Sequence, residues 1–258
     1  MKKNVLLTIE YDGSVFYGWQ RQPDRPTVQE HLEQTLSSLF KQRIAVNGTS
    51  RTDAGVHAYG QRASFTADIN APIERLALMI NNALCRREKG AFAASPVRIA
   101  SAEEKPLDFH ARFDSKGKKY IYRIENTEHM NVFMRNYAYH VDKPLDVDKM
   151  KKASEYLRGT HDFKSFEASG GTPRETTVRT IFDIDVKRCG AGGKTLEIHV
   201  SGDGFLYNMV RIITGTLVDV GSGRLTAEDM GDIIDAADRR RAGHTAPPYG
   251  LYLAEVYY

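Results

Sequence analysis

Ile44-Ala45-Val46-Asn47-Gly48-Thr49-Ser50-Arg51-Thr52-Asp53-Ala54-Gly55-Val56-His57-Ala58 runs from an apolar triplet through a turn signal into a polar loop. Ile44 to Val46 reads as a short strand, Asn47-Gly48 as the turn that ends it, and Ser50 to Ala58 as the loop it delivers. Asp53 stands at the loop's centre, between Arg51 and Gly55. An Asp in such a loop is most often a turn residue, because its carboxylate takes nearby backbone N–H groups. The flanks give the loop a larger frame. Upstream, Thr27-Val28-Gln29-Glu30 is a capping box, and Val28, Leu32, Leu36 and Leu39 follow on one helical stripe. Downstream, a short strand closes at Phe65, Pro72 opens a helix carrying Leu76, Met79, Ile80 and Leu84, and a strand lies near Val97–Ile99. Val5, Leu7, Ile9 and Tyr11 alternate with Leu6, Thr8 and Glu10 as a first strand. The order is β-α-β-loop-α-β, the ferredoxin-like or RNA-recognition-motif type of half-domain.

The remainder echoes that plan without a sequence repeat. Phe109 to Phe113 links the halves. Tyr120, Tyr122 and Ile124 then share one face of a strand, with Lys119, Ile121 and Arg123 on the other. Tyr139 lies in a further strand, and Val147, Met150, Ala153 and Leu157 make a helix stripe. A polar loop runs through Gly170, Gly171 and Arg174. Leu196, Ile198 and Val200 alternate into Ser201-Gly202-Asp203-Gly204, as the first strand runs into Asp12-Gly13. Phe205 to Arg211 opens a long apolar helix ending near Gly221. Thr226-Ala227-Glu228-Asp229 caps another, which Arg239, Arg240 and Arg241 close on the side where cations suit the dipole. Leu251 to Tyr257 reads as a closing strand. The halves divide as residues 1–105 and 106–258.

Composition sets outer limits. At 41% hydrophobic and 27% charged, the chain has the profile of a soluble protein with a true core. No apolar run approaches the roughly 20 residues of a membrane span, and the first residues lack a signal peptide's apolar stretch. Cys85 and Cys189 make no disulfide framework and suit a reducing cytoplasm. The eight histidines show no ligand spacing, so no metal site is expected. A net charge of +3 permits a nucleic-acid partner without demanding one.

Arg51-Thr52-Asp53-Ala54-Gly55-Val56-His57 resembles the catalytic loop of the TruA family of tRNA pseudouridine synthases. So do Glu10 to Gly13, Tyr17 to Gln22, Phe109 to Phe113, Tyr120 to Arg123, Asp162 to Phe166, Phe205 to Arg211 and Gly250 to Leu253, in the family's order. Ser50 stands where the family usually has Gly, and Ala83-Leu84-Cys85 where a Leu-Pro ending is usual. The resemblance implies an α+β fold: two ferredoxin-like or RRM-like halves share an extended, mainly antiparallel sheet flanked by helices, with a basic cleft between the lobes. It implies a homodimer that isomerises uridine to pseudouridine in the anticodon arm of tRNA, with one Asp and neither cofactor nor metal. Matched residue for residue, Asp53 is the nucleophile, Tyr120 contacts the target base, and Arg211 lies next to the Asp.

The chemistry suits these residue types. The N1–C1′ bond of uridine breaks, the base turns, and C5 joins C1′, so neither redox nor net hydrolysis is involved. A carboxylate attacks C1′ or C6, or moves protons; the sequence leaves all three open. An ionised Asp in a dry pocket needs a cation nearby, and Arg51 and Arg211 are the candidates. Tyr120 offers a ring for uracil and a hydroxyl for protons. Phe16, Tyr17 and Trp19 beside Arg21 read equally as a hydrophobic clasp and as a platform for bases. Arg21, Arg51, Arg86, Arg87, Lys118, Lys119, Arg174 and Arg179 are candidates for the phosphates of the RNA. Other readings are a non-catalytic RNA-binding module, an Asp-dependent nucleosidase or glycoside hydrolase, which ordinarily needs two carboxylates, and a relative with other target uridines.

Overall fold

The structure, a computed structural model, describes residues 1–88, 91–171 and 175–258, and of residues 86–88, 91–93 and 191 only the backbone. It divides into two compact units, residues 1–116 with 253–258, and residues 117–252. Both are α+β.

The first unit carries β1 (Lys2–Tyr11), α1 (Val28–Phe40), β2 (Asn47–Gly48), β3 (His57–Asp68), α2 (Ile73–Leu84), β4 (Arg86–Glu88), β5 (Ala91–Ala93) and β6 (Val97–Lys105). Its sheet runs β6-β1-β3 with β2 beside β3, and each pairing is antiparallel. That is the strand order of the β-α-β-loop-α-β plan. The Thr27 side chain accepts the Glu30 N–H at 3.4 Å, and the α1 stripe Val28, Leu32 and Leu36 is fully buried. In α2, Leu76 and Ile80 are fully buried and Leu84 nearly so, which fixes both helices on the sheet by apolar burial.

Two local expectations shift. The ladder near the loop lies at Asn47–Gly48, paired with Ser64 and Ala63, and Ile44–Val46 carries none. Side chains of α1 take the triplet's backbone groups instead: the Ile44 N–H donates to Ser37 Oγ at 3.0 Å and the Val46 N–H to Glu33 Oε1 at 3.1 Å. Ile44 and Val46 are nonetheless buried, so the apolar pattern marks the core and the hydrogen bonds decide the element. β3 also runs past Phe65 to Asp68, because its ladder to β1 continues there: Thr66, Ala67 and Asp68 pair with Asn4, Lys3 and Lys2.

The second unit carries β7 (Gly117–Asn126), β8 (Tyr139–Val141), α3 (Val147–Glu155), β9 (Gly159–Asp162), β10 (Val178–Cys189), β11 (Thr195–Gly202), α4 (Met209–Gly221) and α5 (Asp229–Ala236). Its order is β7-β11-β10-β9, antiparallel throughout, with β8 parallel on β7. Tyr122 and Ile124 of β7, Leu196 and Ile198 of β11, and Ile184 and Val186 of β10 are all fully buried. The Thr226–Asp229 box closes reciprocally: the Asp229 N–H donates to Thr226 Oγ1 at 3.2 Å and the Thr226 N–H to Asp229 Oδ2 at 2.7 Å. α5 ends at Ala236, with Ala237 left-handed after it, so Arg239–Arg241 form a separate turn capped by Asp238. The chain's last strand, β12 (Leu251–Tyr257), begins in the second unit and ends in the first, where it borders β3. No described helix is long and apolar enough to cross a membrane.

Candidate active site

Asp53 is half-buried in the loop between β2 and β3. The Val56 N–H donates to Asp53 O at 3.1 Å, and Gly55 takes a φ of 80°, so Asp53-Ala54-Gly55-Val56 is a tight turn with the carboxylate at its first position. The residues before it are pinned in turn. The Tyr11 and Thr52 hydroxyls lie 2.7 Å apart, and the Trp19 N–H donates to Thr52 O at 3.0 Å. The Gln61 amide serves Ser50 on both sides, accepting its N–H at 3.2 Å and donating to its O at 2.7 Å. Ser50 Oγ, the hydroxyl that the family's usual Gly would lack, is buried with no hydrogen-bond partner among the described residues. After the turn, buried His57 accepts the Gly13 N–H at Nδ1, 3.1 Å away, and stands 3.3 Å from Asp12 Oδ1. His57 thus ties the Asp12-Gly13 turn to the loop.

Gly18, which the sequence offers only as part of the Tyr17–Gln22 stretch, packs its backbone against this turn. Its φ is 89°, and a Cβ placed on it would stand 2.6 Å from Thr52 O and 3.1 Å from the Asp53 carbonyl carbon. Both facts demand Gly. A positive φ carries no sequence signal beyond the residue itself, so only the tertiary contact reveals it. Arg51 on the same loop is exposed. The Arg21 guanidinium meets Glu33 at 3.2 Å and Glu30 at 3.3 Å, so it braces α1.

Tyr120 and Arg211 belong to the second unit. Tyr120 is 8% exposed on β7, opposite Val200. Its ring meets Phe205 edge-on with centroids 5.2 Å apart, a geometry that fixes the ring plane. Tyr122, two residues on, is fully buried, and its hydroxyl donates to Pro247 O at 2.6 Å. Burial pushes that hydroxyl well above a phenol's ordinary range, with the Arg211 charge opposing. Half-buried Arg211 lies in the first turn of α4, donating from Nε to Ala246 O at 2.7 Å and from Nη1 to Asn208 Oδ1 at 2.6 Å. Asn208 reaches it from a left-handed conformation, φ 60°.

Ala246 belongs to a strap, residues 242–247, laid along α4. Its N–H donates to Arg211 O at 3.1 Å, and the Gly243 N–H donates to Thr216 Oγ1 at 2.9 Å. Arg239 clamps the strap from the other side through Gly243 O at 2.9 Å and Thr245 Oγ1 at 3.0 Å. Arg239 is therefore a structural tie, a role beyond the helix-end chemistry its sequence suggests. Arg174 lies outside the described residues, as do the side chains of Arg86 and Arg87. Among the described residues, no group of three or more His, Cys, Asp and Glu side chains is placed to hold a metal ion.

The comparisons with known proteins cover the stretches just described. A profile of the tRNA pseudouridine synthase family matches residues 7–114 and 153–258. The tRNA pseudouridine synthase A of Ruminiclostridium cellulolyticum is 46% identical over 99% of this chain and 100% of its own length. That of Acetivibrio thermocellus is 43% identical over the same shares. The tRNA pseudouridine synthase A 2 of Clostridium tetani is 44% identical over the whole of both chains. Matches of this identity and extent leave no segment of the fold unaccounted for, and the chain belongs to the tRNA pseudouridine synthase family, isomerases that turn uridine into pseudouridine in tRNA.

Proposed function

We propose that this isomerase acts on uridines of the anticodon arm, with Asp53 as the nucleophile. The observation that carries the assignment is the fixed backbone around Asp53: a tight turn on one side and the bonds of Thr52 and Ser50 on the other. A half-buried carboxylate on so rigid a support suits a reaction that needs one oxygen delivered in one orientation. The covalent balance is simple. N1–C1′ breaks, C5–C1′ forms, the C5 hydrogen leaves as a proton, and N1 of the detached ring gains one. Tyr120, with its ring held by Phe205, stacks on the target base. Arg211 supplies the cation of the reaction, and its bonds to Asn208 and Ala246 hold the guanidinium in one orientation. The target nucleotide leaves its stack to react, at a cost of a few kcal/mol, and Arg51 and Arg174 are assigned to the RNA backbone, while the Arg21 guanidinium is engaged by Glu30 and Glu33. Residues 1–105 and 106–258 are the halves that carry these roles, and the enzyme works in the cytoplasm as a homodimer.

The test compares wild type with Asp53→Asn on an unmodified tRNA transcript, with pseudouridine mapped nucleotide by nucleotide. The variant is expected to fold and bind the transcript yet form no pseudouridine. Near-normal turnover by Asp53→Asn removes Asp53 from the nucleophile's place. Release of free uracil in place of pseudouridine identifies a nucleosidase.

A further inference from the structure

We infer that Tyr17 and Arg25 form a nucleotide platform beside the Asp53 loop: the Tyr17 ring stacks a base next to the target uridine, and Arg25 takes a phosphate of the same RNA. The inference rests on the RNA reaction proposed above and adds a substrate contact to it.

The three aromatics of Phe16 to Trp19 separate into two kinds. Phe16 is 7% and Trp19 1% exposed. Trp19 fills the space over Gly48, where an added Cβ would meet the indole at 2.3 Å. These two are the hydrophobic clasp. Tyr17 is turned the other way and is 47% exposed. The Arg25 guanidinium carbon sits 4.8 Å from its ring centroid, within cation–π range. Arg25 is itself exposed, and no carboxylate among the described residues pairs with it. Arg21, four residues earlier, spends its guanidinium on Glu30 and Glu33. Of these two arginines, Arg25 is therefore the one whose N–H donors remain for a phosphate.

The pair is held, not dangling. The Tyr17 N–H donates to Pro26 O at 2.8 Å, Gln22 Nε2 donates to Tyr17 O at 2.9 Å, and Gln22 and Arg25 are bridged across the turn. Asp24 at the turn's tip is left-handed, φ 56°. The next residue after Tyr17 is Gly18, whose backbone abuts Thr52, Asp53 and Ala54. Successive Cα atoms are about 3.8 Å apart, so the ring is rooted one residue from the carboxylate's own turn. A base stacked there is a close neighbour of the nucleotide at Asp53. Aromatic rings bind bases in this way whatever their identity, and a nearby cation adds to the stack.

The experiment measures Kd by filter binding, and KM and kcat for pseudouridine formation, on an unmodified tRNA transcript across a salt series. Tyr17→Ala is expected to weaken binding and raise KM by about five-fold to a hundred-fold, the range found for loss of one stacked base, with kcat at saturation unchanged. Tyr17→Trp is expected to restore it. Arg25→Ala is expected to flatten the slope of log Kd against log salt by about 0.7 to 0.9, the value of one phosphate. Thermal melting checks that each variant is folded, which the exposure of both side chains favours. Binding within two-fold of wild type for Tyr17→Ala, or an unchanged salt slope for Arg25→Ala, overturns the inference while leaving the proposed reaction intact. A wild-type protein that forms no pseudouridine overturns that reaction and the inference with it.

Discussion

Gly18 shows how much of the Asp53 loop is decided by one residue outside it. Its φ of 89° and the 2.6 Å approach of Thr52 O to the absent Cβ are separate demands, and an Ala would meet both. The backbone strain alone costs about 1–3 kcal/mol, and relief of the contact requires the Thr52–Ala54 backbone to move. Gly18→Ala is therefore expected to fold, to melt a few degrees lower (roughly 2–4 °C per kcal/mol for a chain of this size), and to lose turnover out of proportion to that change. A displacement of about 1 Å in a reacting group is enough for a hundred-fold loss. Melting curves and kcat on a tRNA transcript check it, and a variant with wild-type kcat would show that this contact does not hold Asp53 in place. Gln61 makes the complementary point. It is a fully buried amide in the middle of a strand, and its task is to satisfy the N–H and C=O of Ser50, groups that cost about 1–3 kcal/mol each when buried unpaired.

At the scale of the element, the sequence was legible wherever the determinants are local. The two capping boxes, the stripes of α1 and α2, the start of α4 inside Phe205 to Arg211 and the span of β12 all depend on residues within one or two turns. β10 went unread because its alternation is interrupted: the register shifts between Ile181 and Asp183, so Ile184 and Val186 no longer continue the phase of Ile181. The Asp53 loop was legible as a motif. The strap along α4 was not, because no pattern in residues 242–247 announces a partner some thirty positions upstream. Between β7 and β11 lies an element-scale ion pair with a defined pH dependence. Burial would raise the Glu197 carboxyl, but bonds from His199 Nε2 at 2.8 Å and Arg123 Nε at 2.9 Å outweigh it and hold the group below its ordinary range. A carboxyl whose folded value is depressed contributes stability above its unfolded value, about 4.3, and loses it as pH falls through the folded one. Glu197→Gln is accordingly expected to be less stable than wild type by about 1–2 kcal/mol near neutral pH, with the gap closing below about pH 4. Urea unfolding at several pH values measures it. A gap of constant size down to acid pH would show that packing, not charge, is what Glu197 contributes.

For the whole molecule, the C-terminus determines how the first unit is finished. Residues 253–258 belong to that unit, although everything from 117 to 252 lies in the other. Within the first unit they make specific ties. Leu253 is fully buried, and Gly60 of β3 leaves room for Ala254 O, which a Cβ would meet at 2.3 Å. The Lys116 N–H donates to Tyr257 O at 2.9 Å. The Tyr258 hydroxyl donates to Ala111 O at 2.9 Å and lies 2.9 Å from Thr49 Oγ1, at the entrance of the Asp53 loop. Burying one Leu side chain is worth about 1.5–3 kcal/mol, and the loss of a border strand leaves part of β3 without a ladder partner. Removing residues 253–258 is thus expected to act on one unit. In hydrogen exchange, protection should fall along β3 and residues 49–56, while the β10–β11 ladder keeps its own, because all its partners lie within residues 117–252. Turnover should fall with the loop. Equal loss of protection in β3 and in β10–β11 would mean that the units do not unfold separately, and unchanged protection in β3 would mean that the C-terminal strand is a passenger on a sheet already complete.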